Sequence, residues 1–230
     1  MEGENEHAHI RGVIFVLDGT LIKTTIDFQQ MRTGIVMALN EFNVPPDVWG
    51  PNDTTASMSK VIKYMASQRT SDEMVRFEKR ISGIWNDVEL LNVAYSREIP
   101  GAEKTLSLLR GCGYRLGVLT RSSREYALKA LDVAGIDFEF DAMVCRDDHP
   151  LAEAKPNPLS LRRAVALLNL ESIECIYVGD HAIDEQCAKA AGLRFVGVLS
   201  GSFDLERWKG TTDNPIIGNI SDIPAFLGVE

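Results

Sequence analysis

The run Val13-Ile14-Phe15-Val16-Leu17, broken at once by Asp18-Gly19-Thr20, constrains this chain more than any other stretch. An apolar run this short, ending in a turn dipeptide, predicts a buried strand that stops at its carboxyl end. In open parallel sheets that edge is where ligands bind, so a carboxylate and a hydroxyl there suggest chemistry. Asp-Gly by itself is also an ordinary turn. What the rest of the chain brings to the same edge decides between the two.

From about Thr24 to Asn92 the pattern is helical. Met31, Ile35, Ala38 and Phe42 share one face, and Pro45-Pro46 stop that run. Met58, Val61, Ile62 and Met65 mark a second helix. A third opens with Thr70-x-x-Glu73, a capping-box spacing, and carries Phe77, Ile81, Ile84, Trp85 and Val88. Consecutive helices without a strand predict a separate helical subdomain inserted into an alternating fold. The alternation then resumes. Strands are expected at Leu116–Leu119, Ala142–Cys145, Cys175–Val178 and Arg194–Leu199, with Ser122-x-x-Glu125 capping the helix after the first of them. Pro158 and Gly192 mark a helix start and a helix end. This predicts an α/β protein: a doubly wound, Rossmann-like parallel sheet, residues 1–23 with 95–230, and a helical insertion over 24–94.

Four stretches follow one another in order, three at strand ends and the third just before a helix: Val16-Leu17-Asp18-Gly19-Thr20, Leu119-Thr120-Arg121-Ser122, Lys155-Pro156-Asn157-Pro158 and Val178-Gly179-Asp180-His181-Ala182-Ile183-Asp184. Together they resemble the signature motifs of the haloacid dehalogenase superfamily, and within it the small-molecule phosphatases of the phosphoglycolate phosphatase type. The resemblance spans nearly the whole chain. It implies Mg²⁺-dependent hydrolysis of a small phosphate monoester through an aspartyl-phosphate, with the helical insertion as a mobile cap that selects substrate. The family pattern has Asp two residues before the position of Asp18. Here that position is Val16, so the nucleophile is missing.

The other roles have candidates. Asp180 and Asp184 lie four apart across a strand end and a first helical turn, so they can face one point. Alone, that pair fits a hard-cation site or a helix cap with a favourable dipole contact equally well. By resemblance Asp180 binds Mg²⁺ directly, Asp184 holds a metal-bound water, and the main-chain carbonyl of Asp18 is a further ligand. Losing the carboxylate at Val16 should weaken that site. The resemblance makes Asp18 the general acid and Lys155 the residue that offsets phosphate charge. Thr120 ends a strand, where its hydroxyl and the following amides could bind phosphate oxygens alongside Gly19. Arg121 could reach substrate or be solvated. Asp27 and Arg32 lie just beyond the first motif and could touch substrate, but a charged helix surface is the plainer reading. His149 and His181 are expected to face solvent.

A net charge of -9 argues against nucleic acid as a partner. It leaves room for a small phosphorylated metabolite, because a local cationic pocket overrides the global field. Cys112, Cys145, Cys175 and Cys187 form no Cys-x-x-Cys, which fits reduced thiols and a cytoplasmic protein. No apolar run approaches membrane-spanning length. Met1 to Arg11 is polar, and its His7 and His9 are expected on a frayed end. As written, the chain should be inactive or very weak as a phosphatase. The alternative is a non-catalytic phosphometabolite-binding or regulatory protein. Dehalogenation would need the same missing carboxylate.

Overall fold

The computed structural model describes residues 7–50 and 54–229, so the first six residues of the polar opening segment lie outside them. The chain divides into two compact units, Met1–Thr24 with Ala94–Glu230, and Thr25–Val93.

The first unit is built on β1 (Gly12–Phe15), whose four residues are all buried. It pairs in parallel with β4 (Arg115–Leu119) and β6 (Cys175–Gly179), placing Val13 opposite Leu116 and Ile176. With β5 (Ala142–Val144), β7 (Arg194–Val198) and β8 (Ile216–Ile217) they make a six-stranded sheet in the order β5-β4-β1-β6-β7-β8, parallel at every pairing. A strand buried on both faces must be largely apolar, and β1, β6 and all of β4 after the exposed Arg115 are buried. The crossover helices are α5 (Ala102–Gly111), α6 (Arg124–Ala134), α7 (Pro158–Leu167) and α8 (Ala182–Ala191). The order steps outward from β1 in both directions, so the doubly wound α/β fold is the observed one.

Local chemistry sets the helix ends. Gly135 and Gly192 close α6 and α8 in the left-handed region, where the lack of a Cβ removes the penalty. Pro158 stands at the start of α7. The start of α6 differs from expectation. Its N-cap is Ser123, whose hydroxyl accepts from the Tyr126 amide at 3.3 Å. Ser122 is used elsewhere. Two further short helices, α9 (Leu205–Lys209) and α10 (Ile223–Leu227), follow β7 and β8. Trp208 of α9 is fully buried and donates its indole N–H to Val198 O at 3.2 Å. His7 stacks on Phe226 with ring centroids 4.3 Å apart, so this end of the segment is packed rather than frayed.

The chain leaves and re-enters this unit through a two-stranded antiparallel ribbon, β2 (Ile22–Lys23) against β3 (Arg97–Glu98). The second unit holds α1 (Phe28–Glu41), α2 (Pro46–Trp49), α3 (Thr54–Gln68) and α4 (Ser71–Leu91). The short α2 begins where Pro45-Pro46 were expected only to stop a helix, because Pro46 is well suited to a first helical position. The Thr70–Glu73 capping box is present in α4. Phe77, Ile81, Ile84, Trp85 and Val88 are buried along it, with Phe77 edge-on to Phe42 at 5.3 Å. Arg80 holds Glu41 through two hydrogen bonds of 2.9 and 3.0 Å, tying α4 to α1. Among the described residues no helix is long and apolar enough to cross a membrane.

Candidate active site

The carboxyl ends of β1, β4 and β6 are neighbours in the sheet, so the residues that follow them meet at one edge. Beyond β6, Asp180 and Asp184 are 4% and 1% exposed. Asp184 sits in the first turn of α8, where its Oδ2 accepts from the His181 amide at 3.1 Å. Its Oδ1 lies 2.6 Å from Lys155 Nζ, and that ammonium also donates to the Tyr177 hydroxyl at 3.0 Å. Lys155 is itself only 5% exposed. A cation this deep requires a partner, and Asp184 is that partner. Burial and the nearby Asp184 push the Tyr177 phenol well above its ordinary range, so it remains a neutral donor.

Asp180 is held differently. Its Oδ2 accepts from the Ser202 amide at 2.7 Å, and its carbonyl from the Phe203 amide at 3.1 Å. Gly19 and Gly201 press against the same carboxylate, and a Cβ at either would collide with Oδ2. Gly19 also has a φ of +79°, and its carbonyl accepts from Ser200 Oγ at 2.7 Å. These two glycines let the loops after β1 and β7 close around Asp180. Burial, then the neighbouring Asp184, raise its carboxyl above the usual range, while the Ser202 amide works against that rise.

Val16 stands at the end of β1, with its amide donating to Val178 O at 2.9 Å. Its side chain is 6% exposed and joins an apolar cluster with Ile14, Leu119, Leu161, Tyr177 and Cys187. Asp18, two residues on, is half-buried. Its Oδ1 accepts from the Tyr126 hydroxyl at 2.8 Å and its Oδ2 from Ser122 Oγ at 3.2 Å. That is where the Ser122 hydroxyl goes instead of capping α6.

The segment after β4 is more self-contained than the sequence suggests. Thr120 is buried, and its Oγ1 accepts from the Ser122 amide at 3.0 Å. The Arg124 amide donates to Asp147 Oδ2 at 2.9 Å. The Ser122 amide is thus turned to Thr120 within the loop. Arg121 is half-buried, and its carbonyl accepts from Arg146 Nη1 at 2.8 Å. His181, expected in solvent, is half-buried: it caps α8 through Nδ1, and its ring lies tilted against Phe203 with centroids 4.6 Å apart. So the helix cap there is His181 and not Asp180. His149 is likewise half-buried, its Nδ1 3.0 Å from Pro150 O. In the second unit Asp27 caps α1, accepting from the Gln30 amide at 2.9 Å, and Arg32 lies half-buried on that helix.

Tyr126, Tyr177, Ser202 and Gly201 escaped the sequence reading. Tyr177 carried one signal, a phenol inside an aliphatic strand, which must find a polar partner when buried. The others had none, because their partners are remote in sequence.

Among the described residues no group of three or more His, Cys, Asp and Glu side chains is gathered for a metal. Of the two carboxylates expected to hold a cation, Asp184 is paired with Lys155, which leaves Asp180 as the side-chain oxygen donor. Hard oxygens in small number fit Mg²⁺, which keeps waters and shares its shell with phosphate.

The family model described as haloacid dehalogenase-like hydrolase matches residues 13–198, from β1 to the end of β7. The chain belongs to that family. It is 30% identical over 197 residues to a phosphoglycolate phosphatase of Cereibacter sphaeroides, covering 83% of this chain and 85% of that one. To the phosphoglycolate phosphatase of Neisseria meningitidis it is 29% identical over 220 residues, covering 94% and 92%. Among solved structures, a hydrolase from Pseudomonas syringae superposes with a TM-score of 0.64 at 20% identity, covering 94% of this chain and 97% of the other. A haloacid dehalogenase-like family hydrolase from Streptococcus pneumoniae gives 0.60 at 16%, covering 95% and 98%. At such identities these structures speak for the fold alone. Membership of the hydrolase family rests on the family match and the Cereibacter relative.

Proposed function

We propose that this chain carries the phosphate-monoester site of a phosphoglycolate phosphatase-type hydrolase, with turnover absent or very low. The observation that supports this is Val16, an isopropyl group packed among Ile14, Leu119 and Tyr177 where a nucleophilic carboxylate would stand. Such a group neither attacks phosphorus nor binds a cation. Removing a covalent nucleophile costs on the order of 10⁶ in turnover, about 8 kcal/mol. Asp18 is a poor replacement, because Ser122 and Tyr126 already fix both its oxygens.

The remaining roles follow the family pattern. Lys155 and Thr120, with Gly19 and Arg121 beside them, receive the phosphate group. Asp18 exchanges the proton of the leaving oxygen. Asp180 and the carbonyl of Asp18 hold Mg²⁺, with Asp184 behind them as the counter-ion of Lys155. When bound, the ion offsets the charge of the phosphoryl oxygens. With one carboxylate fewer than the pattern, it binds weakly. Residues 24–94 act as a substrate-selecting cap. The partner is a small phosphorylated metabolite, neither nucleic acid nor membrane, and the setting is the cytoplasm.

The test is Mg²⁺-dependent phosphate release by the purified chain and by Val16→Asp, across a metabolite panel that starts with phosphoglycolate. Activity in Val16→Asp alone is the expected result. Equal activity in the unaltered chain would overturn the mechanism. A second reading, a non-catalytic phosphometabolite-binding or regulatory protein, is favoured by the Lys155–Asp184–Tyr177 network, which stays complete without a nucleophile to orient. It predicts that both proteins are silent while a phosphorylated metabolite with Mg²⁺ raises the melting temperature.

A further inference from the structure

Asp18 is clamped from two sides. On one, the Gly19 amide donates to Ile22 O at 2.8 Å and Ser200 Oγ donates to Gly19 O at 2.7 Å, which pins the main chain just past the carboxyl. On the other, two hydroxyls from the start of α6 reach the carboxyl itself, Tyr126 at 2.8 Å to Oδ1 and Ser122 at 3.2 Å to Oδ2.

The sequence Ser122-Ser123 divides the work between neighbours. Ser123 caps the helix, accepting from the Tyr126 amide at 3.3 Å, which frees Ser122 to donate to Asp18. Tyr126 is fully buried. A phenol in that position must find a polar partner, and its ring has no room to turn away. Helix cap and core packing together aim this one hydroxyl at Oδ1.

We propose that Tyr126, seconded by Ser122, is the positioning residue of the Asp18 carboxyl, and that its effect falls on esters whose leaving oxygen needs a proton. The inference rests on the functional reading above. In Val16→Asp, the new carboxylate forms a bond to phosphorus as the P–O bond to the leaving group breaks. That oxygen takes the proton of the Asp18 carboxyl. An alkyl alkoxide is a strong base and needs this proton in the transition state, whereas p-nitrophenolate leaves almost unaided. A carboxyl that swings free misplaces the proton by an ångström or more, which matters only for the first kind of ester.

The experiment compares Val16→Asp with Val16→Asp/Tyr126→Phe and Val16→Asp/Ser122→Ala on phosphoglycolate and on p-nitrophenyl phosphate. Phenylalanine keeps the ring, and thermal unfolding checks that each variant is folded. Tyr126→Phe should lower kcat on phosphoglycolate by about tenfold more than on the aryl ester, with KM shifted alike for both. Ser122→Ala should show the same bias, smaller. Equal losses on the two esters, or none, overturn the proposal, since a merely structural role moves both together. If Val16→Asp is silent on both esters, the functional reading is overturned and this inference with it.

Discussion

The carboxyl ends of β1 and β6 lie side by side, joined by the hydrogen bond from Val16 N to Val178 O, yet they hold opposite chemistry. At β1 the side chain is Val16, packed in an apolar cluster with no polar atom to satisfy. Beyond β6, two carboxylates four residues apart are buried, and one of them meets the buried ammonium of the distant Lys155, each group tied to named donors or acceptors. The first end is what folding alone would choose, since valine suits a buried strand and carries no desolvation cost. The second is what folding alone would avoid, because buried ion pairs rarely repay their desolvation. The β6 end is lined by buried charges, while Val16 at the β1 end belongs to the core.

That contrast can be broken in several ways. The largest effect is expected from Lys155→Met, which leaves Asp184 charged and buried without its partner. Stability should fall by about 3–5 kcal/mol, read from chemical denaturation. A loss under about 1 kcal/mol would mean the network is not the tight pair described. Gly201→Ala drives a Cβ into Asp180 Oδ2, where the loop must shift or the carboxylate must turn, at a cost of about 1–3 kcal/mol. Val16→Ala probes the apolar end: lost contacts plus a small cavity should cost about 1–2 kcal/mol, with no dependence on salt. The smallest net change belongs to the double variant Lys155→Met/Asp184→Leu. Replacing both charges by apolar groups should bring stability back to within about 1 kcal/mol of the parent, and a double-mutant cycle gives the coupling directly.

The cysteines sharpen the same point from outside the site. Burial pushes the Cys145 and Cys175 thiols up to about 12 and Cys187 up to about 11, whereas Cys112 is exposed. Native protein at neutral pH should therefore take up one equivalent of iodoacetamide per chain, at Cys112, found by peptide mapping.

Much of the fold was legible before any coordinate. The apolar run at β1, the strand-helix alternation after Pro100, and the glycines after α6 and α8 are local signals, and each is reproduced. The errors were local as well. Ser122 was expected as the cap of α6, because Ser122-x-x-Glu125 has the right spacing. Ser123 has the better position, and Asp18 claims Ser122. His181 was expected in solvent, but the free place at the N-terminus of α8 and the face of Phe203 hold it.

Of the site, the sequence by itself determined which residue types stand at the strand ends, Val16, Asp18, Thr120 and Asp180, and which sit at or just before the starts of the helices near them, Lys155 and Asp184. Spacing along one chain suffices for that, because a parallel sheet delivers every strand end to the same edge. Only the tertiary structure decided who pairs with whom. That Lys155 meets Asp184 and Tyr177, that Asp18 is held by Tyr126, and that Gly19 and Gly201 enclose Asp180 are contacts between segments many residues apart. Side-chain pairing in a buried edge is settled by packing and by the need to satisfy every polar group at once, and no periodicity in the sequence encodes it.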